Sequence, residues 1–117
     1  MKVFDTGVIA VDQGDCTLFS DFSEGGPMWA GQGPREVRHA VTFSRPFLAP
    51  PAVTCAISLW DFDAGHNLRA DIRPANVTEA GFTIVFKTWG DTRIARVHAT
   101  WQAIGAVGDS EMWELTD

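Results

Sequence analysis

A chain of 117 residues is long enough to bury one core without metals or staples and gives no sign of a second domain. Its formal net charge of −6 at pH 7 opposes binding to a phosphate backbone or to anionic lipid, and no apolar run reaches the length of a membrane span. Hydrophobic content of 45% with 21% charged residues is that of an ordered globular protein, so nucleic acid, membrane insertion and disorder are set aside.

At the N-terminus, Asp5 and Gly7 stand where a secretory signal would continue apolar, so none is visible. Thr6 to Val11 is a β-prone apolar run and the predicted first strand. Periodicity then disappears from Asp12 to Pro34 among Gly14, Gly25, Gly26, Pro27, Gly31 and Gly33, which predicts a long loop over 12–34. That loop carries Phe19, Phe22 and Trp29, and part of it is expected to pack.

Arg35 to Ser44 alternates, with Val37, His39, Val41 and Phe43 on one face and charged or small residues on the other. Prolines 46, 50 and 51 punctuate the following loop, and Ala52 to Trp60 forms a third strand with Val53, Cys55, Ile57 and Leu59 inward. After the polar turn Asp61 to Asn67, the stretch Leu68 to Arg73 sets Leu68, Ala70 and Ile72 against Arg69, Asp71 and Arg73. Pro74 closes that strand or places it on a sheet edge.

A turn at 77–81 leads into Phe82 to Thr88, whose Phe82, Ile84 and Phe86 point inward. Trp89-Gly90-Asp91-Thr92 is short enough to be a hairpin connection. Arg93 to Gly105 is the last strand, with Ala95, Val97, Ala99, Trp101 and Ala103 inward, and the acidic tail 106–117 is expected to be loose, with Trp113 able to dock. Helical period is nowhere sustained, so the fold class is all-β, a six-stranded antiparallel β-sandwich over residues 1–117.

Two residues carry the functional reading. Arg69 offers a planar fork of donors to sugar oxygens or carboxylates, and Trp89 offers an indole face to the C–H side of a sugar ring. Against this, a half-buried strand-end tryptophan and a solvated arginine are commoner.

Asp61-Phe62-Asp63-Ala64-Gly65 resembles the start of a calcium loop, but its glycine comes early and no closing glutamate follows. Asp61 and Asp63 meet only the minimum for glycosidase chemistry, and His39, His66 and His98 lack ligand spacing. No enzyme activity, metal or cofactor is predicted. Cys16, read as lying in the polar loop, and Cys55, in a strand, are expected to be free thiols.

Val41-Thr-Phe-Ser-Arg-Pro-Phe47, Pro50-Pro51-Ala-Val53, Asn67-Leu68-Arg69, Val77-Thr78, Gly81-Phe82, Thr88-Trp89, Thr92 and Trp101 form a series of anchors over residues 41–105. That series resembles the H-type lectin domain, the family of snail agglutinins and of the C-terminal domain of slime-mould discoidins. Trp29-Ala-Gly-Gln-Gly-Pro-Arg-Glu36 is similar to bacterial members.

The resemblance implies a sandwich that associates as a homotrimer or a higher multiple. It implies binding of galactose or N-acetylgalactosamine at sites between neighbouring subunits, while this chain's departures from the family pattern make another surface glycan or polysaccharide as plausible a ligand. Arg69 would bond sugar hydroxyls, and Trp89 would lie in the loop a neighbour contributes. Gln32 stands where the family has a sugar-binding aspartate, Gly90 where it has a histidine and Ala95 where it has a tyrosine, while Val11 and Phe86 replace the snail lectins' disulfide. Gln32 retains a donor and an acceptor, and Asp91 is a second candidate acceptor.

The expected function is thus a non-catalytic carbohydrate-binding module acting at a cell or particle surface. The alternative is a structural trimerisation module of an adhesive fibre or virion appendage that has lost sugar binding.

Overall fold

The computed structural model describes residues 1–5 and 7–108. Six strands and one helical turn follow in order: β1 (Ile9–Ser20), α1 (Pro27–Ala30), β2 (Arg35–Thr42), β3 (Ala52–Phe62), β4 (Asp71–Ala75), β5 (Gly81–Thr88) and β6 (Ile94–Ala106). They pair antiparallel in two three-stranded sheets, one ordered β1-β6-β3 and the other β2-β5-β4. The all-β sandwich read from alternation is the observed architecture. The core lies between the sheets, where Val97, Ala99 and Ala103 of β6 and Phe82, Ile84 and Phe86 of β5 are buried.

The loop predicted over 12–34 is corrected. Strand β1 continues without a break to Ser20, paired with β6 from Ile9↔Ala106 to Ser20↔Arg96. Its inward positions include Ala10, Gly14 and Cys16, small residues that give no apolar signal, and a register shift between Thr17 and Phe19 buries Leu18 and Phe19 together.

Gly14 is there for space. A β-carbon on it would stand 2.8 Å from Nε1 of Trp101, whose indole packs toward Phe43 and Phe82 at ring-centre distances of 5.9 and 5.5 Å. Cys16 therefore lies in a strand. Both cysteines are free and half-buried, and burial pushes both thiols above their ordinary range.

Beyond Ser20 the chain turns on Asp21. Its backbone N–H donates to Ala95 O at 2.7 Å, and its carboxylate accepts the Met28 N–H at 2.9 Å, tying α1 to the sandwich end. Met28 is buried, and Phe22 meets Trp29 edge-on with ring centres 4.9 Å apart.

Two further boundaries move. The strand expected from Leu68 begins at Asp71, and Leu68 is exposed. The Trp89–Thr92 loop is no hairpin, because β5 and β6 belong to different sheets, so the loop crosses the sandwich. Only β4 and β5 are consecutive and paired among the described strands, and Pro74 sits in β4 at a sheet edge, where a missing N–H is tolerated. Val107 of the expected loose tail is buried, with its N–H on Val8 O at 3.1 Å, whereas Trp113 lies outside the described residues. No helix among them is long and apolar enough to cross a membrane.

Candidate functional site

Three irregular segments meet at one end of the sandwich: residues 31–34 entering β2, 67–70 entering β4 and 89–93 leaving β5. The last two run alongside each other, held by side chains in place of a ladder. Thr88 Oγ1 donates to Arg69 O at 2.6 Å, Thr92 Oγ1 donates to Asn67 O at 2.6 Å, and the Arg69 N–H donates to Thr92 Oγ1 at 3.1 Å. Both threonines are buried, so their hydroxyls satisfy backbone groups that water does not reach. These bonds explain why Leu68 to Ala70 never joins a sheet.

Arg35 fastens the first segment to the third. Its Nε donates to Gly33 O at 2.9 Å and its Nη2 to Gly90 O at 3.3 Å, while Nη1 reaches Pro27 O and Met28 O at 3.3 and 3.2 Å. The Gly33 N–H also donates to Gly90 O at 2.9 Å. Gly33 and Gly90 hold φ of 74° and 70°, a left-handed backbone that glycine adopts freely.

Within this frame Asp91 organises the polar groups. Its carboxylate accepts Arg69 Nη1 at 2.8 Å and Asn67 Nδ2 at 3.2 Å. The Asn67 amide bond, helped by Arg69, holds the Asp91 carboxyl below the ordinary carboxylate range. Gly90 lies against the same guanidinium: a β-carbon there would stand 3.2 Å from Arg69 Nη1.

Arg69, Gly90 and Asp91 are thus in contact, and Gln32, exposed, is next to the Gly33 that bonds Gly90. Trp89 is set apart. It is 43% exposed and borders an open groove of about 670 Å³ with Pro34, Glu36, Asp71, Arg73 and Lys87, a lining that does not include Arg69.

The other candidates fall elsewhere. Asp61 sits 3.6 Å from Arg96, while Asp63 accepts the Gly65 N–H at 2.9 Å and lies 3.1 Å from His66 Nδ1 and 3.5 Å from Arg93. The Gly65 N–H above all lowers the Asp63 pKa, the opposite of what a general acid needs. Among the described residues no cluster of three His, Cys, Asp or Glu could hold a metal ion. Sequence reading missed Arg35 and also Arg93, whose Nε donates to Trp29 O at 3.0 Å and whose guanidinium lies 4.3 Å from the Trp29 ring centre. Long-range bonds to carbonyls leave no trace in residue spacing.

Known proteins agree with this architecture. The H-type lectin domain family matches residues 38–104. A Fuscovulum blasticum protein described as "ATP synthase subunits region ORF 7" is 59% identical over 107 residues, 92% of this chain and 93% of its own length. A discoidin-1 polypeptide of Dictyostelium discoideum is 34% identical over 74 residues, 62% of this chain and 29% of its own.

Two solved structures of discoidin II from the same organism, one recombinant and one wild-type, superpose with TM-scores of 0.73 and 0.74 at 22% identity. They cover 90% of this chain and 40% of theirs, so the chain spans well under half of the discoidins it matches. The chain belongs to the H-type lectin domain family.

Proposed function

We propose that the domain is a non-catalytic carbohydrate-binding module that reads galactose-type or other surface glycans at sites shared between the subunits of a homotrimer. The observation that carries this reading is the Arg69–Asp91 pair set against Gly90 at the sandwich end. Asp91 is the guanidinium's one protein partner among the described residues, and it orients a fork whose remaining donors suit vicinal hydroxyls. Gln32 and the Asp91 carboxylate supply the acceptors.

The groove that Trp89 borders does not have Arg69 in its lining. A neighbouring copy that brings its Trp89 to this chain's Arg69 would complete a site with a donor fork on one wall and a stacking face on the other. Several such weak sites on one oligomer would give useful avidity.

Val37, Val41 and Trp101 are partly buried against this chain's own core. Exposed Val11, Trp60 and Leu68 are candidates for trimer contacts.

The engagement of Arg69 by Asp91 also favours a second reading, a structural trimerisation module in which those charges only hold the loop. Mixing of subunits tests the shared site. Arg69→Ala and Trp89→Ala proteins, each inactive toward an immobilised galactose-type glycan, should regain binding when their subunits exchange. No recovery after proven exchange would refute the shared site, and an unaffected Arg69→Ala protein would refute the role of Arg69.

A further inference from the structure

We propose that the outward face of the β2-β5-β4 sheet beside Trp89 is a subsite for an anionic sugar, one carrying a carboxylate or a sulfate. This rests on the glycan-binding reading of the neighbouring loop and extends it from a terminal sugar to a chain.

Alternation places the surface. In β5, Phe82, Ile84 and Phe86 face the core, so Thr83, Val85 and Lys87 face outward, and the next position of that column is Trp89. Same-face residues on a strand stand roughly 7 Å apart, which seats a sugar ring on the indole within reach of the lysine.

The register supplies the flanks. Lys87 lies between Glu36 of β2 and Asp71 of β4, and Val85 lies between Arg38 and Arg73. Val85 faces outward between the two arginines and is only 3% exposed.

The charges then decide the ligand. Glu36 accepts Arg38 Nε at 2.8 Å, and Asp71 accepts Arg73 Nε and Nη2 at 2.8 and 3.0 Å. Each carboxylate is held below its ordinary pKa first by its arginine bond and stays charged. Both are therefore neutralised along their own strands. Lys87 is the third cation of the face: it shares Glu36, 3.7 Å from its ammonium, with Arg38, and its side chain is 53% exposed.

This face thus sets three cations against two carboxylates, a local positive excess in a chain of net charge −6. An indole with an under-neutralised ammonium two residues away matches a ring with one apolar C–H side and one anionic substituent. Neutral sugars would leave that ammonium under-neutralised.

The test titrates the full chain with galacturonan, neutral galactan and sulfated galactan oligosaccharides of equal length. Tighter binding of the acidic chains, with the preference shrinking as salt rises, is expected. Lys87→Gln should cut the acidic-to-neutral affinity ratio about tenfold and Lys87→Arg should keep it. Sulfated chains binding as well as galacturonan would assign the preference to charge, and weaker sulfated binding to the carboxylate; both support the subsite.

Equal affinity for acidic and neutral chains, or an unchanged ratio in Lys87→Gln, would overturn it, as would poly-glutamate competing as well as galacturonan. Loss of neutral-galactan binding in Arg69→Ala reports separately on the loop. A wild-type chain that binds none of the three would overturn this subsite and the galactose-type reading on which it rests.

Discussion

Asp91 is the residue on which the polar end of the sandwich depends, because it joins Asn67 of one segment to its own loop and orients Arg69. A carboxylate with a depressed folded pKa contributes stability that is fully present above its unfolded value, near ~3.9, and is lost as pH falls through the folded value. Glycan binding through Arg69 should therefore be flat from neutral pH down to about pH 5 and weaken only below about pH 4. Carboxyl NMR titration checks the premise: Asp91 should titrate below a free aspartate, and a value at or above it would contradict the arrangement.

Arg69→Ala should lower affinity by about ten- to a hundredfold through lost charge-assisted bonds. Its melting temperature should stay close to wild type, since the pair with Asp91 is partly exposed and screened. A large fall in stability would make Arg69 a structural residue.

At the scale of elements, what was legible follows from how much of each strand is apolar. Strands β2, β3, β5 and β6 alternate bulky inward residues with polar outward ones, and the structure places them within a few residues of the expected bounds. The second half of β1 was hidden because its inward face begins with Gly14, against the Trp101 indole, and Cys16. The segment before Asp71 misled in the other direction. Leu68, Arg69 and Ala70 alternate like a strand, but Thr88 and Thr92 hydroxyls take their backbone groups.

Two substitutions test these contacts by denaturant unfolding. Gly14→Ala forces the wedged Trp101 ring to move and should cost about 1–3 kcal/mol, where an unhindered glycine-to-alanine change in a strand would stabilise. Thr92→Val keeps the shape but strands Asn67 O and the Arg69 N–H, and should cost about 1–3 kcal/mol while weakening any ligand that Arg69 holds.

For the molecule as a whole, topology was the least legible level. Alternation says which face of each strand is buried but not which strand lies beside which, so a short loop such as Trp89–Thr92 reads as a hairpin until the sheets assign β5 and β6 to different layers. The same crossing shapes the candidate site. It carries Trp89 onto the outer face of one sheet, while Gly90 and Asp91 meet Arg69 at the sandwich end.

The donors of Arg69 and the indole face of Trp89 could be read from residue type, and that the groove beside Trp89 leaves Arg69 out of its lining could not. That lining makes assembly part of the functional question, and the proposed trimer should appear as about three times the 12.8 kDa chain mass by light scattering.

Sugar binding through Arg69 at this end of the sandwich is decided by a glycan array probed with wild-type, Arg69→Ala and Trp89→Ala proteins. A defined set of bound glycans is expected for the wild type, lost in both variants while their melting curves and oligomeric mass stay unchanged. An empty array for a folded, trimeric wild type, or one that Arg69→Ala leaves intact, would overturn the role given to this arginine.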